Sequence, residues 1–463
     1  MQNESEKLSV VEKAGYSLGD CAANFVFQTQ IVFMLYFYTD VFGIEAKAVA
    51  WLFLVSNLWD AINDPLMGAL ADRTKTRWGR FRPWVLLTAV PFAIAFILTY
   101  TVPDLGTTGK LIWAYATYNA LKMIYTANNI PYSALTGVLT ADPVERTSLS
   151  SWRFFFAMIA GFLVQTFTDK LVKEFGGENE ALGFQMTIGL WAGIAVVFFV
   201  VTFLTAKERV EPDPRQESSI LQDLKDLSSN VNWITLAIAT VFVFIYLSMR
   251  GGVTKYYFDY SVERQEPFSL LLFTLTPFGL FNALSMIGNL TGILFSKPIS
   301  MKFGKRNAFR VCLFITAVLT ALFYFLRPGA IGAIYGLQFT LQFVYGITIP
   351  LLWAMMADVA DNSEWKTSRR ATAMTFAATV FALKLGLSIG SWLSGRLLDY
   401  YDYVPKAEQS ERALEGIRLM MSVFPASAFF FAVAALYFYR IDKSMELEMH
   451  DALSERRKHY QRG

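Results

Sequence analysis

Residues 51–72 read WLFLVSNLWDAINDPLMGALAD, a stretch long and apolar enough to cross a bilayer that nevertheless carries Asp60, Asn63 and Asp64 near its middle. A charged side chain at bilayer depth costs roughly 2.5–3.5 kcal/mol on insertion scales, so such residues face a bundle interior or a watery cavity and mark an ion or proton path. Positions i, i+3 and i+4 share one helical face within about one turn. Two carboxylates that close do not both stay ionised in a low dielectric without a cation or a shared proton. Oxygen donors suit a hard cation such as Na⁺, and a shared proton would serve equally. The competing reading is a helix-packing polar network paired with Arg or Lys, which would not need two acids and an amide together.

Composition extends this reading to the whole chain. Of 463 residues 54% are hydrophobic, only 17% are charged, and the mean hydropathy is +0.37, which leaves too little polar surface for a soluble protein of this size. Runs of about 20 apolar residues predict an all-α polytopic membrane protein with twelve transmembrane helices. They fall near 17–42, 46–71, 83–103, 110–139, 148–168, 185–206, 233–258, 269–297, 308–326, 330–357, 373–398 and 416–440. An even number puts both termini on one side. Lys and Arg number about 26 in the ends and their same-side loops against about 9 in the opposite loops, so both termini are expected to be cytoplasmic. The acidic start, with Glu4, Glu6 and Glu12, and a first apolar run too long for an h-region argue against a signal peptide. Cys21 and Cys312 lie in apolar segments and imply neither a disulfide framework nor a thiolate metal site.

The chain divides at its longest hydrophilic stretch. A six-helix half (1–206), a cytoplasmic linker with a short amphipathic helix (207–232), a second six-helix half (233–440) and a cytoplasmic tail (441–463) are expected. Ile130-Pro131 before Ala141-Asp142 is echoed by Ile349-Pro350 before Ala357-Asp358, and the basic loop DRTKTRWGRFRP (72–83) by SKPISMKFGKRNAFR (296–310). Related halves with a midplane site between them are a transporter device. Other ionisable residues also sit at membrane depth. Asp20, Lys122 and Arg250 are read either as facing the bundle interior or as snorkelling to an interface. Arg153 and Lys384, with apolar residues on both sides, are read as holding polar or anionic groups in a central cavity.

The segment YTDVFG...LFLVSNLWDAINDPLMG...RWGRFRPW (38–84) resembles the melibiose permease branch of the glycoside-pentoside-hexuronide:cation symporters, within the major facilitator superfamily. The resemblance extends through NIPYSAL (129–135), RFFFAMIAGF (153–162), RGGVTKYYFDY (250–260) and WAMMADVADNSEWKTSRR (353–370). It implies a major facilitator fold, a cation site on Asp60, Asn63 and Asp64 with Thr126 as a further oxygen ligand, and coupling to Na⁺ or H⁺ without any other cofactor. The family's sugar site uses acids in spans one and four with an Arg in span five and a Lys in span eleven. The basic pair maps to Arg153 and Lys384, but the acids map to Asn24 and Asn129.

That departure bears on substrate. Asn keeps hydrogen-bonding capacity but is a weaker acceptor than a carboxylate, so galactoside recognition of the melibiose type is not expected. A neutral pentoside or glucoside is favoured slightly, and a hexuronide is the alternative because two negative charges are gone from a cavity that keeps Arg153 and Lys384. Gln28, one turn beyond Asn24, and Tyr132 are further candidate sugar contacts, each equally readable as helix packing. Arg73, Arg77, Arg80, Arg146, Asp358, Asp361 and Glu364 are candidates for a cytoplasmic gate of salt bridges, or they simply satisfy the orientation rule. No nucleophile–base pair, phosphate loop or His-based metal spacing supports an enzyme, and the basic residues flank membrane spans rather than forming a nucleic-acid surface. A Na⁺-dependent lysolipid carrier or a non-transporting sensor are the readings from other classes. The expected partners are a small glycoside, a monovalent cation or proton and the lipid bilayer, with the protein a monomer in a bacterial inner membrane.

Overall fold

The computed structural model describes residues 8–140, 143–209, 228–262, 266–270, 273–367, 372–449 and 452. It is helical almost throughout. The first compact unit holds α1 (Val10–Val32), α2 (Ala46–Arg73), α3 (Arg82–Thr99), α4 (Thr107–Leu139), α5 (Pro143–Gly176) and α6 (Glu180–Thr205), with residues 265–283 and 404–407. The second holds α7 (Val231–Tyr256), most of α8 (Pro277–Phe303), α9 (Lys305–Leu322), α10 (Ile331–Thr367), α11 (Thr372–Tyr400), α12 (Glu411–Met421) and α13 (Val423–Leu436). Among the described residues eight helices are long and apolar enough to cross a membrane, or nine if Val10–Val32 and the segment Met34–Val41, bent from it by 59°, form one span. Three other long helices, α2, α4 and α11, have 28, 33 and 29 residues and fall outside that set. They are the helices that carry Asp60, Lys122 and Lys384.

Local chemistry sets the helix ends. The side chains of Ser9, Asn179, Asn230 and Ser410 accept backbone N–H groups at the starts of α1, α6, α7 and α12, satisfying donors that have no partner within the helix. Pro143 and Pro277 occupy first helical positions, where the missing N–H costs nothing. The last of these corrects the predicted span at 269–297: Phe268–Leu270 (β1) and Phe273–Leu275 (β2) pair antiparallel, Phe268 opposite Leu275, and the helix begins only at Pro277. Phe, Leu and Thr side chains suit a strand, and proline suits a helix start far better than its interior. The predicted span at 416–440 corresponds to Glu411–Leu436, one of the eight, with a local interruption at Ser422 between α12 and α13. Most of the predicted linker and of the tail lies outside the described residues.

Packing within each unit brings the polar helices together. In the first, α1 lies against α5 and α6, α3 against α4 and α6, and α2 against α4. In the second, α7 packs on α11 and α13, and α9 on α10 and α13, around a core that includes Tyr246, Tyr345, Met355 and Phe429. Contact between α7 and α11 runs over small residues. A Cβ on Gly386 would lie 2.4 Å from the Val241 carbonyl and one on Gly390 2.8 Å from that of Ile245, and Ser248 Oγ donates to the Leu387 carbonyl at 3.0 Å. Such spacing lets backbones approach where lipid offers no hydrophobic drive to associate. Many large apolar side chains, among them Leu66, Leu87, Ile94, Leu294 and Phe431, are exposed, as a lipid-facing surface requires.

Candidate functional site

Two polar clusters stand out, both in the first unit. The first joins α2 to α4. Asp60 and Asp64 are one turn apart on α2, Lys122 and Thr126 one turn apart on α4, and the pairs face each other. Thr126 Oγ1 lies 2.9 Å from Asp60 Oδ1 and 3.0 Å from Asp64 Oδ1, so one hydroxyl bridges both carboxylates. The Lys122 ammonium lies 3.8 Å from Asp60 Oδ2, with only 16% of the lysine side chain and 7% of the aspartate exposed. It also sits 5.8 Å from the centroid of the Tyr118 ring. Asn63, half-buried, occupies the same turn as Asp64. Thus three of the four predicted cation ligands meet, and Lys122, which the sequence leaves open between interior and interface, joins them.

The second cluster joins α1 to α5. Asp20, Asn24 and Gln28 succeed one another at four-residue spacing on α1, all half-buried. Arg153 Nε donates to Asp20 Oδ2 at 2.6 Å and its Nη1 to Thr136 Oγ1 at 3.0 Å. Gln165 Nε2 donates to Gln28 Oε1 at 2.8 Å, and the Asn24 amide donates to the Asp20 carbonyl at 2.8 Å. Asp20 is therefore not an interfacial residue but the counter-charge of Arg153. Arg153 therefore keeps an acid beside it although Asn24 and Asn129 carry no charge. Asn129, half-buried on α4, makes no side-chain hydrogen bond among the described residues. Lys384 is half-buried in the middle of α11.

Tyr132 behaves as the packing alternative describes. Its ring is fully buried and stacked on Tyr16 with centroids 4.7 Å apart, and each tyrosine hydroxyl donates to the other's backbone carbonyl, at 2.7 and 2.9 Å. The guanidinium carbon of Arg153 lies 5.1 Å from the Tyr132 ring centroid. Tyr132 therefore packs behind Arg153. Arg250, the third residue left open between interior and interface, is 5% exposed. Its Nη2 donates to Gln338 Oε1 at 2.7 Å, its guanidinium covers the Phe323 ring at 4.4 Å, and Gln338 in turn donates to Ser285 Oγ at 2.7 Å.

Of the seven gate candidates, Arg73 and Arg146 have side chains outside the described residues. Arg77 is exposed and lies over the Trp78 ring, and Arg80 is half-buried. In the second unit Asp358 pairs with Lys305 at the start of α9, and Glu446 joins them, 3.4 Å from the same ammonium. Burial and the neighbouring Asp358 raise the Glu446 carboxyl above its ordinary value. Asp361 and Glu364 are half-buried further along α10.

Sequence reasoning missed one anchor entirely. The Glu208 carboxylate accepts the backbone N–H groups of Arg80, Phe81 and Arg82 at 2.9, 2.8 and 3.0 Å, capping the start of α3, where a negative charge also meets the helix dipole favourably. Gly79 makes this possible: its φ is +112°, and a Cβ there would lie 2.5 Å from Glu208 Oε1. Arg209, next in the chain, pairs with Glu12 at 2.7 Å, and Lys13 with Glu145 at 2.9 Å.

Apolar helices that bury acids, a lysine and an arginine along their inner faces define an integral membrane transporter of the plasma membrane, not an enzyme. Residues 15–443 match the family described as MFS/sugar transport protein, and the chain belongs to that family. It is 38% identical to the inner membrane symporter YicJ of Escherichia coli K12 over 95% of this chain and 93% of that one. Identity is 36% to the putative glycoside/cation symporter YagG of the same strain, covering 93% and 92%, and 32% to the isoprimeverose transporter of Lactiplantibacillus pentosus, covering 93% and 89%. Among solved structures, the nucleoside transporter NupG shares the fold, with a TM-score of 0.61 at 12% identity over 94% of this chain and 100% of that one.

Proposed function

We propose that the protein is a secondary active symporter that couples entry of Na⁺ or H⁺ to uptake of a neutral pentoside- or glucoside-type glycoside. The observation that carries the reading is the meeting of Asp60, Asp64 and Thr126 between α2 and α4. Two carboxylates and a hydroxyl with an amide, Asn63, on the same helical face form a hard oxygen donor set suited to a small monovalent cation or a proton. Relatives named as a glycoside/cation symporter and an isoprimeverose transporter support the same class. Within the first unit the sugar contacts are assigned to Asn24, Gln28, Asn129 and Arg153, with Tyr132 behind Arg153, and Lys384 of the second unit is kept as a further candidate contact. Because Asp20 balances Arg153 at 2.6 Å, the first unit offers a substrate amides and a neutralised ion pair, which supports a polyol without its own charge over a hexuronide.

In this reading the chain crosses a bacterial inner membrane twelve times with both termini cytoplasmic, and two six-helix halves rock about a central site. Binding of the cation relieves repulsion between Asp60 and Asp64 and orders α2 against α4. Asn129 lies one turn beyond Thr126 on α4, so that ordering is felt at the sugar site. Asp358, Asp361 and Glu364, with Arg73, Arg77, Arg80 and Arg146, are assigned to a cytoplasmic gate.

Uptake of labelled methyl β-xyloside and of a labelled glucuronide into right-side-out vesicles tests the reading, under an inward Na⁺ gradient and separately under an inward proton gradient. Cation-stimulated accumulation of the xyloside alone is expected. Accumulation of the glucuronide alone would reverse the substrate assignment, and no cation stimulation of either sugar would remove symport.

A further inference from the structure

The cation reading leaves one residue unexplained. Lys122 projects from α4 one turn before Thr126, and its ammonium is 3.8 Å from Asp60 Oδ2. That separation is beyond a direct hydrogen bond but inside the range of strong charge interaction in a medium less polar than water. The two oxygens of Asp60 are thereby divided: Oδ1 accepts from Thr126 at 2.9 Å, and Oδ2 faces the ammonium. A buried ion pair is a poor source of stability, since desolvation offsets most of its attraction. A lysine on a flexible stem is also easily displaced compared with the rigid fork of an arginine. The aromatic face of Tyr118, 5.8 Å away, offers the ammonium a second resting place.

We propose that Lys122 is the specificity-determining residue of this site: a tethered counter-cation that competes with the mobile monovalent cation for Asp60 and sets how tightly that cation is held. The proposal rests on the assignment of Asp60 and Asp64 to cation binding. A mobile cation that reaches Asp60 meets a like charge already there, so its affinity is held down. In the ion-free protein the same ammonium partly neutralises the carboxylates, so the empty carrier does not cross its cycle with two bare acids buried side by side. Lys122 thus acts on affinity and on the stability of the empty state, through one charge.

Equilibrium binding of ²²Na⁺ to the purified full-length protein tests this, comparing the wild type with Lys122→Met, Lys122→Gln and Lys122→Arg, each checked for a monodisperse, cooperatively unfolding sample. The expected result is Na⁺ binding at least tenfold tighter in both neutral variants, with Lys122→Arg as weak as the wild type. The neutral pair keeps the test valid should one of them fail to fold. Unchanged or weaker binding in the neutral variants, no measurable Na⁺ binding in any of the proteins, or an equal gain in Lys122→Arg would overturn the role of the charge. Adding Asp64→Asn to Lys122→Met separates the two levels: loss of the tightened binding is expected, and its survival would show that the cation does not use this carboxylate cluster at all.

Discussion

The α2–α4 cluster and the α1–α5 stripe are both polar seams inside the same helical unit, yet their charges are arranged in opposite ways. Between α2 and α4 the described residues bring together two carboxylates and one ammonium, the latter held at 3.8 Å. Between α1 and α5 one carboxylate meets one guanidinium at 2.6 Å, with amides from Asn24, Gln28 and Gln165 filling the rest. The first arrangement favours a mobile positive charge. The second is balanced in itself, and what it offers a ligand is hydrogen bonding. Charge balance, more than residue type, separates these two polar seams.

That contrast is most easily broken at its acids. Asp64→Asn is expected to lower cation-driven sugar accumulation by a hundredfold or more, because the remaining carboxylate, already facing Lys122, no longer needs a second cation. Vesicle uptake at matched expression measures it, and accumulation within threefold of the wild type would make both seams equivalent. In the balanced seam, Arg153→Gln leaves Asp20 buried without its partner. Truncating one member of a buried pair costs about 3–5 kcal/mol, so a strong loss of folded protein or of sugar binding should follow, whereas Asp20→Asn combined with Arg153→Gln should recover much of the stability. If the double variant unfolds as readily as the single one, the pair is not charge-coupled.

Smaller effects sharpen the picture. Thr126→Val removes the hydroxyl that bridges the two carboxylates and should weaken cation binding by roughly tenfold, about 1.4 kcal/mol, while Thr126→Ser should stay close to the wild type; cation titration of sugar binding distinguishes them. Gly390→Leu would force α11 away from the Ile245 carbonyl, and overpacking costs typically 1–3 kcal/mol, visible as a lowered unfolding temperature in detergent. Glu208→Gln should cost least, about 1 kcal/mol, since its one amide oxygen still accepts at the α3 N-terminus while the charge and the second acceptor oxygen are lost.

Much of this was legible in the sequence for a simple reason: burying charge in lipid is so costly that WDAINDP can be read without a fold. Helical spacing places Asp60, Asn63 and Asp64 on one face. What spacing cannot give is the partner on another helix. Asp20, Lys122 and Arg250 stay open between interior and interface in the sequence because nothing along the chain says that Arg153 is 133 positions away yet in contact with Asp20, or that Tyr246, Phe323 and Gln338 surround Arg250. The same limit hides Gln165 and Glu208. The hairpin before Pro277 escapes a sequence reading because its residues, FSLLLFTL (268–275), are as apolar as the helix that follows. Periodicity does not separate a short apolar strand from a helix turn. Tyr132 shows the limit from the other side: a polar aromatic in a motif that suggests a ligand contact is satisfied by Tyr16 instead.

Equilibrium binding of the glycoside as a function of Na⁺ concentration and of pH, in the wild type and in Asp64→Asn, reaches the division of labour most directly. Coupling between two sites is reciprocal and typically amounts to about 5–150-fold in affinity. The wild type should bind the sugar at least fivefold more tightly when the coupling cation is present, and Asp64→Asn should still bind the sugar but at one affinity whatever the cation. A variant whose sugar affinity still rises with the cation would contradict the separation of the two seams.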